Sequence, residues 1–408
     1  MPNPKVEIAF DLSANGLGDF FTLDDTTKGL LDGTAFKLAG DILQDVTSYT
    51  RAITIRRGRS RQLDRFTAGA ATITLDNRAR TFDPLAGTAL TPYAGQIVPR
   101  KEVAVSVSGV PIFTGQVEDW DLNYSLSGDS VAEAVCADGF ALIAQDTLAG
   151  SATTSQLTGA RIGSVLTALG WPIGKRAIGT GEATLIADTI AAETNGLQYL
   201  QKVEASEPGA FFVNRAGSMT FRDRQDTQVF GGVTFADDGS GIPYQGIEVL
   251  YGTEELYTAT VVTRNNGTAA VGTATASNAT AQAAYGITTL NVDTLLSSDA
   301  QAEDLADYLL GKYQAPTYRV DALDVILEGI TASQAGQVLA LDLADVVKVT
   351  FTPNSIGDPI EQYALVDGIE HNITPNAHQI RLTLSATEVG FVLDSEQFGV
   401  LDSNILGF

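Results

Sequence analysis

The chain has 408 residues, 18% of them charged and 44% hydrophobic, with 40 glycines and 13 prolines: too apolar for a disordered chain and without the glycine period of a collagen. Its 25 Lys and Arg stand against 49 Asp and Glu, and a formal net charge of −24 at pH 7 leaves no overall basic surface for gripping nucleic acid. One cysteine and two histidines exclude a disulfide scaffold or a zinc ribbon, no apolar run reaches the roughly eighteen residues of a membrane span, and no secretory signal is expected at the amino end.

Residues 1–150 alternate apolar and polar at period two, the pattern of half-buried antiparallel strands, in AITIR (52–56), ATITL (71–75), VAVSVSG (103–109), PIFTGQV (111–117) and SVAEAV (130–135). They are expected to form a first β-barrel-like domain. At 151–235 the pattern changes. Ile162, Val165, Leu166 and Leu169 recur at helical spacing behind Thr158, which is expected to cap a short helix stopped by Gly170 and Pro172. A second helix follows Asn195, and 209–224 reads as two strands joined by a loop at 214–217, so this stretch is expected to be an α+β module.

Period two returns in GIEVLYG (246–252) and TATVVTR (258–264), and again in 319–329, 345–351, 363–373 and 378–385. Residues 236–390 therefore predict a second β-barrel-like domain, with a loop and a helix inserted at 265–317. The small, polar, glycine-rich residues 265–286 read as a surface loop, and the helix starts at Ser298, carries Leu305, Tyr308 and Leu309 inward, and ends before Gly311. Residues 391–408 are a C-terminal tail. The fold class expected is mainly β with α+β insertions.

Chemistry is sparse. Asp119, Asp121 and Asn123 have the first spacings of a calcium loop, but Tyr124 stands where glycine is needed and Ser130 where glutamate is needed. His371 and His378 flank a turn with Glu370 near, yet neighbours on a strand point to opposite sides, which favours ordinary strand-end histidines over a metal face. Cys136 reads as a small buried hydrophobe, and neither a GxSxG elbow nor a phosphate-binding glycine motif is present. No catalytic residue, cofactor or metal is expected, and the abundant carboxylates read as solvated acidic surface.

Charge is segregated along the chain. Residues 1–120 carry 13 basic and 14 acidic groups, and the remainder carries 12 and 35. The run 56–66 (RRGRSRQLDRF) is the main basic anomaly: a nucleic-acid patch, a solvated loop, or a partner for carboxylates of a neighbouring copy or of this chain. The candidate interface residues are Arg56, Arg57, Arg59, Arg61, Asp64, Arg65, Arg78 and Arg80. If they lie between subunits, reversing Arg57 and Arg61 to Glu is expected to block assembly and leave the monomer folded.

Several ordered segments carry a resemblance: SYTRAITIRRGRSRQLDRFTAGAATITLDNRARTFDPL (48–85), PIFTGQVEDWDLNY (111–124), EPGAFFVNRAGSMTFRDR (207–224), residues 294–320, GIEHNITPNAHQIRLTLS (368–385) and the ending 391–408. In these the chain resembles the minor tail proteins of siphophages, especially actinophage-like ones, taken as tail-tip baseplate hubs and similar to the hubs of contractile phages. The resemblance implies a virion protein at the distal end of the tail, assembled in the host cytoplasm as a trimeric ring of two β-barrel-like domains per copy. Its implied partners are further copies, the distal tail protein, the tape measure protein and other tail-tip proteins, with genomic DNA passing through unbound. The alternatives are a minor tail protein that binds a host receptor or glycan, and a tail-associated cell-wall hydrolase.

Overall fold

The computed structural model describes residues 3–11 and 42–390, and the tail expected at 391–408 lies outside the described residues. The first β region is an antiparallel run of β1 (Pro4–Phe10), β2 (Ile42–Asp45), β3 (Thr50–Gly58), β4 (Thr67–Asp76), β5 (Glu102–Val107), β6 (Val110–Asn123) and β7 (Val131–Ala137). Their spatial order is β3-β4-β7-β6-β5-β1-β2. The alternation read from sequence is the burial alternation: Ile53 and Ile55, Ala71, Ile73 and Leu75, and Ala132, Ala134 and Cys136 all turn into one core.

The α+β module holds α1 (Gly139–Ile143), α2 (Thr158–Ala168), β8 (Arg176–Ile178), α3 (Gly196–Glu204), β9 (Ala210–Val213) and β10 (Met219–Arg222). Asn195 caps α3 by accepting from the Gln198 amide, and Asn214 closes the β9–β10 turn. Thr158 does not cap α2 as its position suggests. Its hydroxyl goes instead to Glu207, whose carboxylate also accepts from the Glu182 and Ala183 amides. The module is fastened inside by Arg161, fully buried and bonded to Asp188 at 2.8 Å, to the Tyr199 hydroxyl and to two backbone carbonyls.

The second β region contains β11 (Phe230–Ala236) and β12 (Gly246–Leu250), then a lobe of β13 (Ala259–Asn265), β14 (Ala270–Ser277), α4 (Ala279–Tyr285), β15 (Thr289–Thr294) and α5 (Asp299–Tyr313). It continues with β16 (Arg319–Ile326), α6 (Ala332–Ala340), β17 (Val346–Phe351), β18 (Ile360–Thr374) and β19 (Ala377–Ala386). Residues 265–286, expected as a loop, are a strand and a helix. Gly272, Ala274 and Ala276 are small because their face of β14 lies under α5 in a separate core with Val262, Leu305 and Leu309. Helix α5 begins at the Ser298 cap as expected, but runs through Gly311 to Tyr313 because Leu310 and Tyr313 are still buried.

The two β regions share one sheet. Strand β18 runs antiparallel to β17 over Ile360–Leu365 and then to β3 over Gly368–Ile373, giving the order β12-β16-β19-β18-β3-β4-β7-β6-β5-β1-β2. The exchange of partners occurs beside Gly58, whose φ is +110° and where a Cβ would stand 2.6 Å from the Gly368 Cα. Gly58→Ala is expected to cost at least about 2 kcal/mol, because strain and a backbone collision coincide. Urea unfolding with an unchanged m value measures it.

Candidate functional site

The arginine run lies at this exchange, on the end of β3 and the turn after it. Arg56 stands directly opposite Glu370 on β18 and bonds it at 3.1 Å on the exposed face. Its neighbour Arg57 points the other way and is 4% exposed. Both Arg57 terminal nitrogens donate to Asp342 Oδ1 at 2.9 Å, and Nη1 also donates to the Val213 carbonyl at 3.4 Å. Asp342 Oδ2 accepts the Arg215 amide, and the Arg215 guanidinium covers the Leu339 and Ala340 carbonyls that end α6. One guanidinium thus ties the first β region, the α+β module and the second β region together.

Arg59 fixes the point where β18 changes partner. Its Nε donates to Asp367 Oδ1 at 2.8 Å, its amide donates to the Asp367 carbonyl at 2.8 Å, and its guanidinium lies 4.4 Å above the Phe66 ring. Further out, Arg61 meets Glu254 at 2.5 Å, Arg80 meets Asp83 at 2.6 Å, and Arg78 pairs with Asp76. The Arg78 hydrogen bond holds the Asp76 carboxyl well below the usual range. Arg65 and Asp64 are exposed. Of the eight residues marked by the sequence, Arg57 and Arg59 are therefore sequestered in the chain's own seam, while Arg56, Arg61, Asp64, Arg65, Arg78 and Arg80 are exposed. Reversal of Arg57 accordingly tests the fold, not assembly. Asp342 and Asp367 had no distinguishing sequence signal among the 49 acids; Glu370 stood out only for lying beside His371.

Behind the same seam, His371 and His378 meet on the buried face, with His371 Nδ1 3.0 Å from His378 Nε2. Glu370 points away to Arg56, so the three groups do not converge. Burial pushes His371 well below its ordinary value and His378 down to about 4, with His378 adding repulsion at His371. The His378 backbone amide donates to Glu328. Burial also raises Asp138 and Glu204 to about 7, although each accepts backbone amide bonds, Asp138 from Gly69 and Phe140 and Glu204 from Phe211. Cys136 is buried in β7, its thiol pushed up to about 12. Asp119, Asp121 and Asn123 lie along the exposed face of β6 at two-residue steps of about 6.8 Å, an extended row that does not wrap a cation.

The whole chain is similar in fold to phage tail proteins of known structure. The tail protein of Neisseria meningitidis matches with a TM-score of 0.58 at 10% identity, covering 94% of this chain and 96% of that one. The 43 kDa tail protein of prophage MuSo2 from Shewanella oneidensis matches at 0.54 and 14% identity, over 85% and 96%. A prophage tail protein from Listeria monocytogenes matches at 0.50 and 10%, over 93% and 94%. No protein-family model matches the chain, and no curated protein matches it in sequence. The likeness is one of architecture: it spans both β regions and the module between them.

Arg57→Leu is expected to lower stability by about 3 kcal/mol, since it strands a buried carboxylate, whereas Arg56→Leu on the exposed face changes it by less than about 1 kcal/mol. Chemical unfolding of the two variants checks the contrast. For the histidines, an unfolded imidazole titrates near about 6.5, and both folded values lie lower. Their stabilising contribution is therefore full above that pH and is lost as pH falls toward about 4, amounting to about 3 kcal/mol for His378. Imidazole NMR signals that stay in the neutral position at pH 5 would agree, and titration of both near pH 6.5 would contradict it.

Proposed function

We propose that this chain is a structural hub of a phage tail tip, built to join copies and neighbouring tail proteins around an axis without a catalytic step. The observation that carries the reading is the whole-chain similarity of fold to prophage tail proteins, in which both β regions and the connecting module take part together. The sheet supports it further. Strands β12 and β2 end the order, each bonded on one side only among the described residues, and open edges of this kind suit joining copy to copy. In this reading three copies form a ring at the distal end of the tail, contacting the distal tail and tape measure proteins.

The charge fits the passage of DNA. With −23 carried by residues 121–408, a surface lined by these residues repels phosphate and lets a duplex slide through without tight contacts. Arg65 and Arg61 are exposed beside the seam, Arg61 already meeting Glu254 of the same chain, and both side chains stand where carboxylates of a neighbour can reach them.

Cryo-electron microscopy of intact particles tests the reading. Density for this chain with three-fold symmetry at the tail tip is expected, and a position elsewhere in the virion or a single copy would overturn it. In the same particles, Arg61→Glu with Arg65→Glu is expected to reduce incorporation several-fold while the purified chain keeps its unfolding midpoint.

A further inference from the structure

Beside the arginine seam lies a cleft of ≈ 620 Å³, within the range of small-ligand sites, between the C-terminal half of α5, the chain after β12 and the end of β19. Tyr308 and Tyr313 give it aromatic walls, and Lys312 in the last turn of α5 lines it between them. The neighbouring carboxylates are held in part by arginines, with Asp367 Oδ2 left without a hydrogen bond. Asp367 is held by Arg59 at 2.8 Å, and Glu255 and Glu254 are held by Arg319 at 3.4 and 3.0 Å. The Tyr313 hydroxyl donates to Gln62 at 3.0 Å. Glu388, at the far wall, is exposed.

Lys312 differs from the lysines that hold a glutamate. Lys5, Lys175 and Lys348 each meet a glutamate within 3.2 Å, whereas the Lys312 amine has no hydrogen bond or ion pair to a described residue and lies 5.7 Å from the Tyr313 ring centroid. Loss of water holds that amine down at about 8, against the opposing pull of Asp367, Glu255 and Glu388 and with the repulsion of Arg59. A half-buried amine with no carboxylate in contact, walled by rings and opening into a cleft, is complementary to one negative charge on an apolar body.

We propose that this cleft is a binding site for a carboxylate carried on an aromatic or aliphatic body, with the Lys312 amine as its counter-ion and Tyr308 and Tyr313 against its apolar part. The carboxylate belongs either to a free organic acid or to an acidic side chain beside an apolar residue in a peptide. The site is independent of the ring proposed above and stands or falls separately.

Calorimetry on the full chain tests it with three probes: 4-hydroxyphenylacetate, its neutral amide 4-hydroxyphenylacetamide, and the dipeptide acetyl-Phe-Glu-amide. Binding of at least one anionic probe is expected, with proton uptake at pH 8 and an affinity that falls about tenfold between pH 7 and pH 9 as the amine loses its charge. Whichever anion binds identifies the source of the carboxylate. Lys312→Met is expected to abolish binding and Lys312→Arg to keep it, with unfolding midpoints compared to show that both variants are folded. Equal binding of the amide, binding unchanged in Lys312→Met, or no binding of either anion overturns the proposal.

Discussion

The sheet is one object only because β18 passes from β17 to β3, and that exchange depends on burying Arg57 against Asp342. The partners come from distant parts of the chain: Arg56 and Glu370, one residue further along the same ladder, are 314 apart. Closing a loop of that length carries an entropic cost that grows only slowly with length, so the greater demand is electrostatic. A guanidinium taken out of water must find its carboxylate in one geometry, or the charge is left uncompensated. Asp342 supplies the oxygen and Val213 adds a carbonyl, so the β3 edge pairs in this register only when the module and the α6–β17 turn have arrived. Ladder pairing gives the seam its extent, and the buried ion pair makes it selective.

The same seam explains why the arginine run is so dense. On a strand, alternate residues face opposite ways, so Arg56 and Arg57 serve two faces of one sheet: an exposed cross-strand pair on one and a buried clamp on the other. Gly58 then lets the chain turn where no Cβ fits, and Arg59 returns to hold Asp367 at the point where β18 changes partner. Four consecutive residues thus carry two ion pairs, a turn and a third ion pair.

Much of the fold was legible because it rests on local patterning. Period two marked β3 to β7 and β16 to β19, and Asn195 and Ser298 marked helix starts by the amides they satisfy. The β14–α4 segment was not legible: Ala, Gly and Thr give no apolar period, and the reason for their small size is α5, which follows in sequence. Helix α6 went unmarked although Thr331 and Gln334 form a reciprocal capping box, a signal present in the sequence. For the site, composition picked out the arginines and left their partners open. Asp342 and Asp367 differ from the other acids only in three dimensions, and Lys312 is likewise set apart only by its place in the cleft.

Internal pairing also changes how the charge should be read. Arg57, Arg59, Arg161, Arg264 and Arg319 are almost entirely buried as side chains and spend their charge on carboxylates of the same chain. Where the partner carboxylate is buried as well, as with Asp188 and Asp367, the pair leaves the surface together and the exterior keeps its excess of acid. Two such surfaces repel one another over about a Debye length, roughly 8 Å at physiological salt. In the proposed ring, net charge therefore opposes the approach of copies, and cohesion has to come from short-range contacts that act inside that distance: strand edges, apolar side chains and the few exposed arginines. An assembly held that way is sensitive to the shape of its neighbours and makes no tight contact with a polyanion, as the proposed role needs.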